Sequence, residues 1–175
     1  MLLVLSLPVT AIALLYARRE YQVRGRLSPL GLLLLCAMIF IPNLMLEYAT
    51  RYQWPSTPLD YLGVMIGVLG LAVCITGMAS FNSLPKVLCI ETGQLADSDI
   101  YRWSRNPQYL GWFLFLLGFA LNDWSWWCLI ALLVSAVSLH LLVLVEEEHL
   151  RNHFGDAYAR FCYEVPRYFR TGLAD

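Results

Sequence analysis

Five long apolar stretches, at 2–17, 29–46, 59–79, 107–121 and 126–145, decide what this chain can fold into. A hydrocarbon core roughly 30 Å thick takes about 20 apolar residues as a helix, and in lipid a backbone has to satisfy its own hydrogen bonds. The stretches come close to that length, so the sequence predicts an all-α integral membrane protein of about five transmembrane helices. Composition agrees: of 175 residues 59% are hydrophobic and only 14% charged, where soluble domains run near a quarter charged. Cys36, Cys74, Cys89, Cys128 and Cys162 are dispersed, and neither a disulfide framework nor a zinc site is expected. No nucleic-acid or metal partner is expected.

The first apolar run lacks the basic residues that precede the apolar core of a signal peptide. They follow it instead, at Arg18, Arg19, Arg24 and Arg26, so the run reads as a retained helix whose C-terminal end faces the cytoplasm. Cytoplasmic loops carry the excess of Lys and Arg. Eleven of the twelve fall on one side of the five-helix assignment, with Arg51 alone opposite. The N-terminus is therefore expected outside and the C-terminus cytoplasmic, in the inner membrane if the source is a prokaryote.

The fourth stretch, 15 residues long, gives only about 22 Å of helix. It is expected to pair with the fifth as a tight hairpin through Asn122-Asp123-Trp124-Ser125, with Trp124, Trp126 and Trp127 as an interfacial belt. In the third, Gly63, Gly67, Gly70, Cys74 and Gly77 form a helical stripe of small residues, which reads as a packing seam. Pro42-Asn43 is expected to kink the second helix, with Asn43 satisfying backbone groups that the proline frees. With no internal repeat or low-complexity linker, residues 1–175 read as one domain: three N-terminal helices in 1–80, and the chemistry in 81–175.

Three elements there carry functional signals. Arg105-Asn106-Pro107-Gln108-Tyr109-Leu110-Gly111 opens the fourth helix. Asn is a favoured N-cap and Pro a favoured first residue, and the exposed N–H groups of a helix start suit a carboxylate. The same residues also serve an ordinary capped helix with Arg105 at the interface. Glu146-Glu147-Glu148 is expected to close the fifth helix, at a C-terminal end where the dipole disfavours anions and a cation should compensate. Consecutive helical residues point about 100° apart, so one carboxylate can meet a ligand ammonium while the others meet arginine or water. His140, two turns before Glu147 inside the apolar run, is either functional or a neutral histidine bonded to a neighbouring helix. Beyond Leu150, the aromatic and charged residues from Phe154 to Tyr163 read as a short interfacial helix ended by Pro166, placed to cover the pocket that the other two elements form.

From about Gly93 to Arg167 these elements together resemble the isoprenylcysteine carboxyl methyltransferase family, which is related to the phospholipid methyltransferases. The resemblance rests on Gly93-Gln94-Leu95, Tyr101, the run from Arg105 to Gly111, Glu146-Glu147 with Leu150, Phe154-Gly155, Tyr158 and Val165-Pro166-Arg167. It implies S-adenosyl-L-methionine as cofactor, bound between the loop before the fourth helix and the end of the fifth under a roof made by the C-terminal segment. By position, Gly93, Gln94, Leu95, Ala96, Tyr101, Asn106, Pro107, Gln108, Tyr109 and Glu146 would line that pocket. The helix start would hold the cofactor's carboxylate, Glu146 its ammonium, and Tyr101 or Tyr109 would pack on adenine or sulfonium.

Asn106 stands where the family often has histidine, and Asp99-Ile100 replace its usual glycine before Tyr101. Members that methylate prenylated cysteine carry an arginine for the substrate carboxylate four residues before Glu146, where this chain has Leu142. A membrane-embedded, lipidic or prenylated acceptor is expected, entering sideways between helices. Methyl transfer is an in-line displacement that depends on alignment and water exclusion. An amine acceptor would also lose a proton, with Glu147 or His140 as the candidate base. Two rival readings are an NADPH-dependent membrane reductase of the sterol-reductase type, for which 80–106 offers few basic residues, and a non-catalytic membrane protein.

Overall fold

The computed structural model describes residues 2–49, 54–80, 99–122 and 125–169. Among these the structure is all-helical: α1 (Leu2–Arg24), α2 (Pro29–Ala49), α3 (Pro58–Ala79), a 3-10 turn (Asp99–Arg102), α4 (Pro107–Asn122), α5 (Trp126–Phe154) and α6 (Asp156–Glu164). Helix boundaries follow local chemistry. A capping box between Thr57 and Asp60, with Pro58 behind the cap, starts α3, and Ser125 caps α5 through the Cys128 N–H. Gly25 and Gly155 end α1 and α5 at φ +65° and +52°, backbone angles that other residues adopt only with strain.

Two helices run past their apolar stretches. α1 continues through the arginine cluster to Arg24. There buried Glu20 accepts from Arg24 (2.9 Å) and from the Ser28 N–H (2.7 Å), fixing the turn into α2. α5 continues to Phe154, so Glu146-Glu147-Glu148 lies two turns inside the helix and not at its end. That corrects the sequence expectation. The last turn carries Arg151 and His153, which suit the negative end of the dipole, and the triplet finds its counter-charges in other elements.

α1, α2 and α5 share one core, made by Ala13, Leu14, Ala17, Tyr21, Leu27, Leu35, Met38 and Leu142, with Thr10 and Ser138 hydrogen-bonded across it at 3.2 Å. A second core joins Leu116 and Ala120 of α4 to Cys128, Ala131 and Leu132 of α5. The hairpin partners α4 and α5 do touch, but α4 packs most extensively on α3. The glycine stripe is the reason. Gly63, Gly67, Gly70, Cys74 and Gly77 are the buried residues of α3, and they face Gly111, Phe115 and Gly118 of α4 at backbone-to-backbone distance. In α2, Asn43 Nδ2 donates to the Ile39 carbonyl in the turn before Pro42.

By length and composition α3 and α5 are each able to cross a membrane, while the described apolar part of α2 is shorter. The outer face of α3 exposes Leu62, Met65, Val68, Leu69 and Ile75, a surface suited to lipid.

Candidate functional site

The segment after α6 holds the site together. It crosses the start of α4: the Pro166 carbonyl accepts from the Arg105 N–H (3.0 Å), and the Arg167 carbonyl accepts from Ser104 Oγ (3.0 Å) and Asn106 Nδ2 (3.4 Å). Asn106 is buried. Its side chain thus serves the C-terminal segment, while Ser104 Oγ accepts from the Asn106 N–H at 3.2 Å.

The three carboxylates of α5 diverge as the helical repeat demands. Glu146 accepts from the Tyr109 hydroxyl of α4 at 2.5 Å. Glu147 takes a bidentate pair from Arg167, Nε to Oε1 at 3.0 Å and Nη2 to Oε2 at 2.7 Å, with Arg105 Nη2 at 3.6 Å. Glu148 turns to α1, accepting from Arg18 and Gln22. The sequence predicts a cation for the triplet and marks Val165-Pro166-Arg167 without joining the two, although an arginine just beyond a helix-ending proline is a visible signal.

Around Glu147 the interior is polar and crowded. Tyr158 of α6 is 1% exposed, and burial together with the Glu147 charge pushes its hydroxyl far above the usual phenol range. Arg105 Nη1 contacts Cys162 Sγ, while Arg105 Nε is buried with no hydrogen-bond partner among the described residues. The hydrogen bond and charge of Glu147 raise the Arg167 pKa, against the opposing effect of burial.

Tyr101 is 4% exposed and donates to Gln108 Oε1 (3.0 Å) and the Gly77 carbonyl (3.3 Å). It ties the end of α3 to the start of α4. Pro107 is fully buried beside it. Gly93, Gln94, Leu95 and Ala96 lie outside the described residues.

On the apolar side, Tyr109, Leu110 and Phe113 of α4, Ala136, Leu139 and His140 of α5, and Tyr168 and Phe169 enclose a cavity of about 250 Å³. His140 Nδ1 lies 2.9 Å from the Tyr168 hydroxyl. Burial holds that hydroxyl above its ordinary range, so it keeps its proton. Leu142 points the other way, 1% exposed in the α1–α2 core. Among the described residues no group of three or more metal-ligating side chains is assembled.

The model of the phospholipid methyltransferase family matches residues 59–157, more than half of the chain. The chain is also 27% identical over 125 residues to the protein-S-isoprenylcysteine O-methyltransferase of Xenopus laevis, an alignment that covers 70% of this chain and 42% of that protein. It therefore spans less than half the length of this relative. No solved structure matches it. The matched region holds α3, α4, α5 and the start of α6, and so the glycine seam, the Asn106-Pro107 helix start and the glutamate triplet. Apolar helices and family together mark a membrane protein, and the chain belongs to the phospholipid methyltransferase family.

Proposed function

We propose that the chain transfers a methyl group from S-adenosyl-L-methionine to a lipidic or prenylated acceptor, in a membrane domain of about five spans with its C-terminus cytoplasmic. The observation that carries this reading is the convergence of three elements beside Glu147: the start of α4, the carboxylates of α5 and the C-terminal segment.

The residues present fit the cofactor. Its carboxylate has the first turn of α4 and the buried, unpartnered Arg105 Nε. Its ammonium has Glu146, held toward α4 by Tyr109. Asn106, Pro107, Gln108 and Tyr109 would form that wall, Tyr101 would buttress it from behind, and Gly93, Gln94, Leu95 and Ala96 are proposed to close it. When bound, the cofactor supplies an electrophilic methyl on sulfur. The chain's own work is to align the acceptor and exclude water. Tyr109 borders both the Glu146 contact and the apolar cavity, so an acceptor chain in that cavity would reach the reacting centre past its ring.

Leu142, buried in the opposite core, cannot hold an acceptor carboxylate. For an acceptor that loses a proton, Glu147 is a poor base, because Arg167 occupies both of its oxygens. His140 lines the cavity, and in the tautomer whose Nδ1–H donates to Tyr168 its Nε2 is left to accept.

Calorimetric titration of detergent-purified protein with S-adenosylhomocysteine, beside NADPH and a Glu146→Gln variant, tests the reading. Saturable binding of the homocysteine product, weakened at least tenfold in the variant, is expected. Binding of NADPH alone would move the chain to the reductases, and binding of neither would leave a non-catalytic membrane protein.

A further inference from the structure

A second cavity, of about 320 Å³, lies on the opposite face of α5 from the apolar one. It is walled by α1 and the last turns of α5, where the apolar run of α1 gives way to its arginine cluster. One wall is a stacked pair, Tyr21 on His149, with ring centroids 4.3 Å apart and planes inclined by 14°. His153 stacks one turn further on, 6.0 Å from His149.

Part of the hydrogen-bonding capacity of this cavity is unspent. Arg18 commits Nε and Nη2 to Glu148 and keeps Nη1. The side chains of His149, Asn152 and His153 line the space and make no hydrogen bond among the described residues. The one lining carboxylate, Glu148, is already matched by Arg18 and Gln22. What remains is a guanidinium N–H, two imidazoles and an amide, a donor set that suits a tetrahedral oxyanion.

We propose that this cavity binds a phosphate group, held by Arg18, His149, Asn152 and His153. Its level, where an apolar helix meets its basic cluster, is that of lipid phosphates, so a membrane phospholipid is one source and a soluble phosphate the other. The site is separate from the cofactor reading and stands without it.

The test is NMR of ring-labelled histidines in detergent-solubilised full-length chain at fixed pH, titrated in one arm with inorganic phosphate and in the other with short-chain phosphatidic acid. Saturable shifts of His149 and His153 are expected, with at least tenfold weaker binding in Asn152→Ala and in His153→Phe and unchanged binding in Arg160→Gln on α6. Shifts with phosphatidic acid alone assign a lipid source, and shifts with both assign a site for the phosphate itself. No shift, or equal weakening in all three variants, overturns the proposal.

Discussion

Arg167 grips Glu147 with one edge of its guanidinium, 3.0 Å from Nε to Oε1 and 2.7 Å from Nη2 to Oε2, around a carboxylate that is 4% exposed. The pair joins the chain's last described segment to α5, two turns before that helix ends. Removing one partner of a buried pair strands the other charge, at roughly 3–5 kcal/mol for full burial. Arg167 is partly exposed and Arg105 stands 3.6 Å away, so Arg167→Ala is expected at the lower end or below. The expected readouts are a lower thermal midpoint in detergent and weaker S-adenosylhomocysteine binding. Arg167→Lys, which keeps the charge but not the fork, should recover part of both. Wild-type stability and affinity in Arg167→Ala would remove the clasp from the account.

Tyr109 and Glu146 make a different kind of pair, one hydroxyl on one carboxylate at 2.5 Å. Loss of the carboxylate charge in Glu146→Gln removes the partner proposed for the cofactor's ammonium, whereas Tyr109→Phe removes only its orientation. Calorimetry should therefore rank Glu146→Gln, at tenfold or more, above Tyr109→Phe, at a few-fold. The reverse ranking would place the ammonium elsewhere.

How much of this the sequence discloses depends on the range of the interaction. The glycine stripe of α3, the start of α4 at Pro107 and the stop of α6 before Pro166 depend on local periodicity and capping, and all three are legible. The length of α5 beyond its apolar run is not, because the counter-charges that let three glutamates sit inside a helix come from Arg18 and Arg167, 130 and 20 residues distant from their partners. The His140–Tyr168 contact depends likewise on where the C-terminal segment is laid, which no local signal fixes.

Acid should loosen the α1–α5 contact through His149. Burial, then the neighbouring His153, lowers its imidazole pKa, while the unfolded chain takes up the proton near about pH 6.5. The unfolded state therefore binds more protons just below that pH. The stability that this group confers is complete above about 6.5 and is lost as the pH falls toward the folded value. Arg18 and Tyr21 face it from α1, and Glu148 and His153 flank it on α5. Thermal midpoints of wild type should thus fall on acidification from about pH 7.5 to about 5.5 by more than those of His149→Phe, which keeps a ring against Tyr21. Parallel pH profiles would sink this assignment.

The seam between α3 and α4 makes a sharper demand than its composition implies, because its glycines are not equivalent. A Cβ at Gly70 would lie 2.5 Å from the Phe115 nitrogen and 2.6 Å from the Gly111 carbonyl, backbone atoms that cannot swing aside. At Gly67 the nearest atoms are the Phe115 carbonyl at 3.7 Å and Gly118 Cα at 3.8 Å, ordinary van der Waals contact. Gly70→Ala forces the helices apart, and overpacking of this kind costs about 1–3 kcal/mol or more. Gly67→Ala fills space at no steric cost and adds helix propensity, so it should be neutral or slightly stabilising. The two variants differ by the same methyl group on the same face of one helix, one turn apart. Their detergent thermal midpoints should separate, with Gly70→Ala well below wild type and Gly67→Ala at or above it. Equal losses would mean that α3 and α4 approach through a different register, and equal tolerance that the helices do not approach this closely.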